Sequence, residues 1–533
     1  MPMYATSLML LINIRRIGCG EMGAKEIWYA DDGGAGGSLK DVRKWWDSLC
    51  KEGPLFGYHP KPEKTWLIVK PGLIEEGKSI FPDVNVTDIG HRYLGSYIGQ
   101  ESGKELFVNK KVDEWIQDVE DLAQIALREP QLAYSAYVYG LSKRWNYVCR
   151  TTPDVSALMR RLDFTVKEVF VPAILDRVFS CTEEIHSIFA LPCRLGGLSI
   201  HKLSETSDLE FEFSQMVTKD LTDAIYNQDG EYTSGQVKIS SIKLEVTRRR
   251  TEYFQNKRTQ LVETLSPSHK LQLDLASEKG ASSWLTALPL QTFGYSLNKQ
   301  QFTDALALRY DYNIKNSART CSCGESNTVN HLLVCKRGGY VSLRHNSLRD
   351  VVAEMLRNAD CKDVNTEPAL LPVNGVQLPK STNTAADARL DVSARSLWNP
   401  LERAFLDIRV FHPLAPSNVA HGTIAKMYRS HENEKKTSYN ARVLEIERGT
   451  FTPVVFSTTG GMGIEASKLM KRIAERTERK TGQRYADVMG FIRKRIRFDL
   501  LKTTTIALRG ERGRRVGQAK DIADLDLNLQ IDI

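Results

Sequence analysis

The apolar period changes along the chain and marks out its elements. Trp28-Tyr29-Ala30 is a short strand-like run that ends in Asp31 and Asp32, at a turn marked by Gly33 and Gly34. Leu39, Val42, Trp45, Trp46 and Leu49 then fall on one helical face, opened by a Ser38–Asp41 capping box and stopped by Gly53 and Pro54. Trp66 to Val69 predicts a strand, and Arg92 to Gly99 a second hairpin. Helical spacing returns at Leu106, Val112, Trp115, Ile116, Val119, Leu122 and Ala126, as far as Pro130. Further helices are predicted over Leu132 to Tyr147 and Val155 to Val169, and at the N-terminus over Met1 to Arg16. Residues 201 to 240 are polar and predict a linker; Ser241 to Leu265 predicts a long charged helix, and Lys299 to Tyr310 another. Period two takes over at Ala388 to Ala394 and Arg403 to Phe411, two strands joined through Asn399-Pro400. Phe451 to Ser457 is a further strand, after which Gly460-Gly461-Met462-Gly463 begins a helix, as a tight turn or an anion-binding N-terminus. The order of elements implies an α+β protein of two or three domains.

Composition narrows the partners. An apolar fraction of 41% suffices for buried cores, and no apolar run is long enough to span a membrane. The net charge of +8 suits a nucleic-acid partner better than an acidic one. Nine mostly scattered cysteines point to a reducing compartment and synthesis in the cytoplasm without secretion, with Cys19, Cys50, Cys149, Cys181, Cys193 and Cys361 as buried thiols. Basic residues gather at Arg248, Arg249 and Arg250, a phosphate-contacting stripe or a solvated helix face, and again from Arg493 and Arg495 through Arg514 and Arg515. Residues 516 to 533 are a tail, acidic and apolar from Asp521 to Ile533.

Two clusters carry chemistry. Cys321, Cys323, His331 and Cys335 offer the Cys₃His set that closes a tetrahedral structural zinc site, the alternative being an unligated turn with buried thiols. Asp391 and Asp407 each lie within a predicted strand among apolar neighbours, where a carboxylate is costly unless paired or bound to metal. Brought together they could hold one divalent ion, Mg²⁺ or Mn²⁺; otherwise Arg389 and Arg409 would satisfy them. At the other end of the chain, Asp31 and Asp32 are either a solvated turn or a second site for hard cations.

The run Tyr29-Ala30-Asp31-Asp32, the helix after it, the Lys64-Thr65 strand and the Tyr93-Leu94-Gly95 hairpin resemble the palm of reverse transcriptases of non-LTR retrotransposons. The resemblance makes Asp31 and Asp32 metal-site carboxylates and Lys64 a proton donor to leaving pyrophosphate, where the residue alone reads equally as a surface lysine. Such palms also carry an upstream aspartate strand. It does not fit ahead of Trp28, so the polymerase site is expected to be incomplete in this chain. Residues 104 to 200 would be the thumb, with Tyr134, Tyr137, Tyr139, Lys143, Arg144 and Trp145 either along a nucleic acid or simply packed. The C-terminal half resembles the restriction-like endonuclease of early-branching non-LTR elements: a Cys-Cys-His-Cys knuckle, then Arg344-His345-Asn346, which opens a predicted helix over Ser347 to Leu356 and by the resemblance contacts nucleic acid, two aspartates and a lysine-bearing helix. In that pattern Arg409 stands where other nucleases have lysine and Leu390 where a proline often stands; Lys435 or Lys436 would supply the ammonium, and Glu354 or Glu367 further carboxylates. The resemblance implies a partial palm over 1–103, a helical thumb over 104–200, a linker and helical region over 201–320, a zinc knuckle over 321–340 and an endonuclease domain with a mixed sheet and flanking helices over 341–515. It further implies DNA and RNA as partners and a nuclear site of action. The alternative is a nucleic-acid-binding remnant without chemistry.

Overall fold

The computed structural model describes residues 11–12, 23–177, 181–229, 232–233, 236–315, 320–510 and 512. Of the predicted N-terminal helix only Leu11 and Ile12 are among them; Cys19, Arg514, Arg515 and the 516–533 tail lie outside. The chain forms two compact units, each gathered from separated segments rather than from consecutive stretches. One comprises Met1–Asp121, Tyr139–Glu168 and Lys202–Tyr253, the other Leu122–Val138, Val169–His201 and Phe254–Ile533.

In the first unit β1 (Lys25–Tyr29) pairs with β2 (Asp32–Gly36), and the Tyr29–Asp32 register leaves Ala30 and Asp31 as the turn. Gly33 and Gly34 therefore belong to the strand, not to the turn as predicted. A Cβ at Gly33 would lie 2.9 Å from the Trp28 ring, so glycine serves the indole's packing. Ser38 opens α1 (Leu39–Glu52) as predicted, its Oγ accepting from the Asp41 N–H at 3.2 Å. Trp45, Trp46 and Leu49 of that helix are buried together with Phe81. β3 (Trp66–Ile68) runs parallel to β4 (Asn85–Thr87), and β5 (Gly90–Tyr93) pairs with β6 (Ser96–Gly99) across Leu94 and Gly95, both at positive φ. The strands of this unit thus form three separate two-stranded pairs. α2 (Glu101–Ala126) follows.

The predicted linker over 201–240 is largely a helix, α3 (Leu203–Asn227), and α4 (Gln236–Thr264) is the long charged helix. Both oxygens of Asp163 accept from the Leu203 and Ser204 N–H groups at 2.8 Å, which starts α3 where the sequence offers no local cap. Polarity misleads here because α3 meets α4 through ion pairs: Arg250 forks onto Glu210 at 2.7 and 3.0 Å.

The second unit contains α5 (Lys299–Tyr310), α6 (Val329–Val334), α7 (Tyr340–Asn358), β7 (Lys362–Thr366), β8 (Val392–Arg395), β9 (Arg403–Phe411), α8 (Ile424–Glu445), β10 (Thr450–Ser457), α9 (Ile464–Thr481) and α10 (Tyr485–Arg509). The sheet order is β10-β9-β8-β7; only β9 and β10 are parallel, and α8 is the crossover that a parallel pair requires. This is the mixed sheet with flanking helices that was expected. Pro453 is tolerated because β10 is an edge strand. Alternation along β9 divides its residues. Ala404, Leu406 and Ile408 enter the main core with Leu348 and Val352 of α7, Leu469 and Ile473 of α9, and Ile496 of α10. Phe405 packs on Val443, and Phe411 on Met427 and Tyr428, all of α8. Asp407 and Arg409 lie between those two phenylalanines, so β9 presents both to α8.

Candidate functional site

Two polar clusters stand out in the second unit. The first forms where β8 begins. Asp391 sits one residue ahead of the strand rather than inside it, and its N–H makes the last ladder bond, to Leu406 O at 3.1 Å. Beyond that point side chains replace the missing strand: the Ile408 N–H donates to Asp391 Oδ2 at 2.5 Å, and Ile408 O lies 3.1 Å from His345 Nε2. The same His345 nitrogen is 3.1 Å from Asp391 Oδ2, and its Nδ1 lies 3.2 Å from Asn346 Oδ1. Asp407, only 6% exposed, lies near enough to Asp391 for each carboxyl to shift the other's acidity. Lys435 Nζ of α8 stands 2.7 Å from Asp407 Oδ2, a close charge contact rather than an aligned hydrogen bond.

The surroundings drive the two carboxyls apart in acidity. Burial and the charge of Asp391 push Asp407 up to about 6, against the pull of Lys435. Burial also opposes ionisation of Asp391, but the His345 imidazole holds it below the usual carboxylate range; His345 is raised in turn. Near neutrality the pair behaves as one strongly ionised and one reluctant acid sharing a buried corner.

The other expected site residues divide. Lys436 turns from the carboxylates to Glu465, 2.8 Å away, so of the two lysines only Lys435 reaches them. Arg409 pairs with Glu434 at 2.8 Å, not with either aspartate. Glu367 pairs with Arg349, and Glu354 lies 3.5 Å from Arg495. Arg344, His345 and Asn346 lie inside α7 rather than ahead of a helix. Arg344 is buried and donates to Leu333 O at 2.9 Å, with burial pulling it down to about 10, so its role as a nucleic-acid contact does not survive. Arg248 and Arg249 form ion pairs with Glu245, and the former also with Glu252 and the latter with Glu212, in place of an open basic stripe. Among the described residues of the basic C-terminal stretch, Arg497 donates to Ala281 O, Arg509 to Asp304 and Arg512 to Leu332 O, while Arg493 is half-buried. The glycines after β10 leave no open anion site, because Glu432 Oε1 accepts the Glu465 N–H at 3.0 Å, and a Cβ at Gly463 would strike that carboxylate.

The second cluster is the predicted Cys₃His set. Its donor atoms all lie within 4.8 Å of one another. Cys321 and Cys335 are 3.9 Å apart sulfur to sulfur, Cys323 and Cys335 4.0 Å, and Cys323 Sγ is 3.2 Å from His331 Nε2. A tetrahedral zinc with ~2.3 Å bonds to sulfur spaces its thiolates by about 3.8 Å, so these four groups could hold such an ion. Burial works against charge on Cys321, yet the Cys323 N–H and the neighbouring His331 bring its thiol down to about 6. Gly324 at positive φ turns the chain, and Thr328 caps α6 so that His331 faces the cysteines. Two buried arginines then hold α6 in place, Arg344 on Leu333 O and Arg512 on Leu332 O.

No protein-family model matches the chain, and no curated protein does.

Sequence reasoning passed over His412. It follows β9 directly, is buried, and has both ring nitrogens satisfied, Nδ1 at 2.8 Å from Thr458 Oγ1 and Nε2 at 2.8 Å from Asn330 Oδ1. Asn330 precedes the ligand candidate His331, so one imidazole ties the cluster to the end of the sheet. A histidine closing an apolar strand was the available signal. In the first unit Asp31 and Asp32 are exposed at the β1–β2 tip; Tyr93, near Gly34, is raised by burial and by the charge of Asp32. Lys64 is exposed in the turn ahead of β3. Among the other cysteines, Cys50 is exposed, whereas Cys149, Cys181, Cys193 and Cys361 are buried thiols.

Proposed function

We propose that the second unit is a metal-dependent nuclease acting on DNA, of the restriction-like kind that accompanies non-LTR retrotransposon reverse transcriptases. One observation carries the reading: Asp391 just ahead of β8, Asp407 on β9 and Lys435 on α8 converge on one buried corner. Two buried carboxylates near enough to shift each other's acidity, one of them reluctant to ionise, suit a hard divalent cation, Mg²⁺ or Mn²⁺, with oxygen ligands. Such a cation polarises the scissile phosphodiester and promotes attack by water. Asp391 and Asp407 would hold it, and His345 would fix the orientation of Asp391. Lys435 would keep Asp407 ionised and place positive charge beside the developing phosphorane. In this reading zinc at the Cys₃His cluster is structural, because four protein donors leave no open position. The Asp31–Asp32 tip would be the remaining metal turn of a polymerase palm, its exposure leaving it open to primer and template, with RNA as second nucleic-acid partner and the nucleus as the place of action.

The test is nicking of supercoiled plasmid by the zinc-loaded chain in Mg²⁺ or Mn²⁺. Nicking is expected from the wild type and is expected to fall at least about 100-fold in Asp407→Asn and in Lys435→Ala, with folding unchanged by circular dichroism. Wild-type nicking that persists in Asp407→Asn would overturn the assignment.

A further inference from the structure

Arg409 occupies the position of β9 two residues beyond Asp407 and faces the same helix. Lys435, which contacts Asp407, and Glu434, which pairs with Arg409, are neighbours on that helix. Two cations therefore flank the carboxylate corner in different states. Lys435 is engaged with a buried carboxylate, whereas the partner of Arg409 is a glutamate with 58% of its side chain exposed. Ion pairs so open to water are weakly held. Guanidinium is never a base, but its rigid fork matches two phosphate oxygens at once and keeps its charge at any working pH. Besides Arg409, two titratable groups act on Glu434: the neighbouring Lys435 ammonium, already in contact with Asp407, and His431 at 3.8 Å, which burial pushes down to about 4 and so keeps neutral.

We propose that Arg409 binds a backbone phosphate of a DNA duplex beside the carboxylate pair, and that Glu434 occupies the guanidinium until that phosphate displaces it. The proposal rests on the nuclease reading above and divides the work usually given to one strand lysine: Lys435 serves the metal-site carboxylate, Arg409 the substrate. No bond is made or broken in the exchange. One ion pair is replaced by another, and the freed Glu434 returns to solvent, where it already largely lies.

The experiment is equilibrium binding of a short duplex to the zinc-loaded full chain in Ca²⁺, which fills carboxylate sites without supporting cleavage, followed by anisotropy over a range of salt. Arg409→Gln is expected to weaken binding by about three- to tenfold and to reduce the slope of log K against log salt by about one, the signature of a single lost phosphate contact. Glu434→Gln is expected to tighten binding several-fold, since it removes the competitor and leaves the guanidinium in place. Wild-type affinity and slope in Arg409→Gln would overturn the proposal. So would unchanged affinity in Glu434→Gln, which decides the matter even if the arginine variant fails to fold. A loss confined to single-stranded RNA would overturn the choice of duplex DNA. A wild type that binds with this Arg409 dependence yet never nicks plasmid in Mg²⁺ would sink the nuclease reading and leave the phosphate contact standing.

Discussion

At the scale of single residues, two buried titratable groups outside the carboxylate corner shift stability in opposite directions with pH. Burial pushes Glu278 up to about 7, against the Tyr428 hydroxyl and the charge of Arg497. Its folded pKa lies above the unfolded value, so the fold favours its neutral form. That contribution is fully present below about pH 4.5 and is lost as pH rises through 7. Glu278→Gln is expected to stabilise the protein at pH 8, by an amount on the order of 1–2 kcal/mol, and to leave it nearly unchanged at pH 4.5; urea melts at both pH values check this. His412 behaves in the reverse sense. Burial and nearby Arg344 depress it to about 3, so the fold binds it neutral, and its contribution is present above about 6.5 and lost as pH falls toward 3. His412→Gln is expected to flatten the fall in stability between pH 6.5 and 4, read from the same melts.

At the scale of elements, α8 contributes most to the candidate site, and it holds its surroundings at two points along its length. Lys435 and Glu434 meet β9, while Arg442, wholly buried, donates to Asn383 O, Ala385 O and Leu371 O at 2.8 to 3.0 Å. The loop between β7 and β8 has no ladder of its own there, so this guanidinium satisfies carbonyls that would otherwise be stranded. Arg442→Met keeps the bulk and loses the donors; it is expected to cost about 3–5 kcal/mol, measured as a lower urea midpoint. Hydrophobic periodicity made β9, β10 and α1 legible, because each presents a regular apolar face to one neighbour. It failed for α3, whose partner surface on α4 is built from Glu–Arg pairs, and for Arg344, His345 and Asn346, which lie within α7. The Asp31–Asp32 hairpin lies where the sequence places it, but its turn is Ala30-Asp31, three residues ahead of Gly33-Gly34, because Gly33 answers to the Trp28 ring across the pair.

At the scale of the whole chain, zinc is expected to matter well beyond its four ligands. Arg344, Arg512 and His412 all depend on groups of the segment that carries the Cys₃His set, and Ser322 Oγ donates back to Arg512 O. Chelation, or Cys323→Ser, is expected to reduce bound zinc from about one per chain toward zero and to lower stability by several kcal/mol. Hydrogen exchange is expected to speed up across Val329–Val334 and at the C-terminal end of α10, and unaltered exchange there would show that the cluster needs no ion. The sequence by itself determined the elements with a regular apolar face, such as β9, β10 and α1, the α+β class, the four zinc-type donors and the two aspartates worth watching, since local spacing and residue chemistry are properties of the chain alone. Only the tertiary structure decided which lysine meets Asp407, that Arg409 turns to Glu434, and that Arg497, Arg509 and Arg512 are spent on internal partners. Those outcomes depend on which helix face a strand meets across more than twenty intervening residues, as between Asp407 and Lys435. Long-range packing sets that meeting, and no local pattern encodes it.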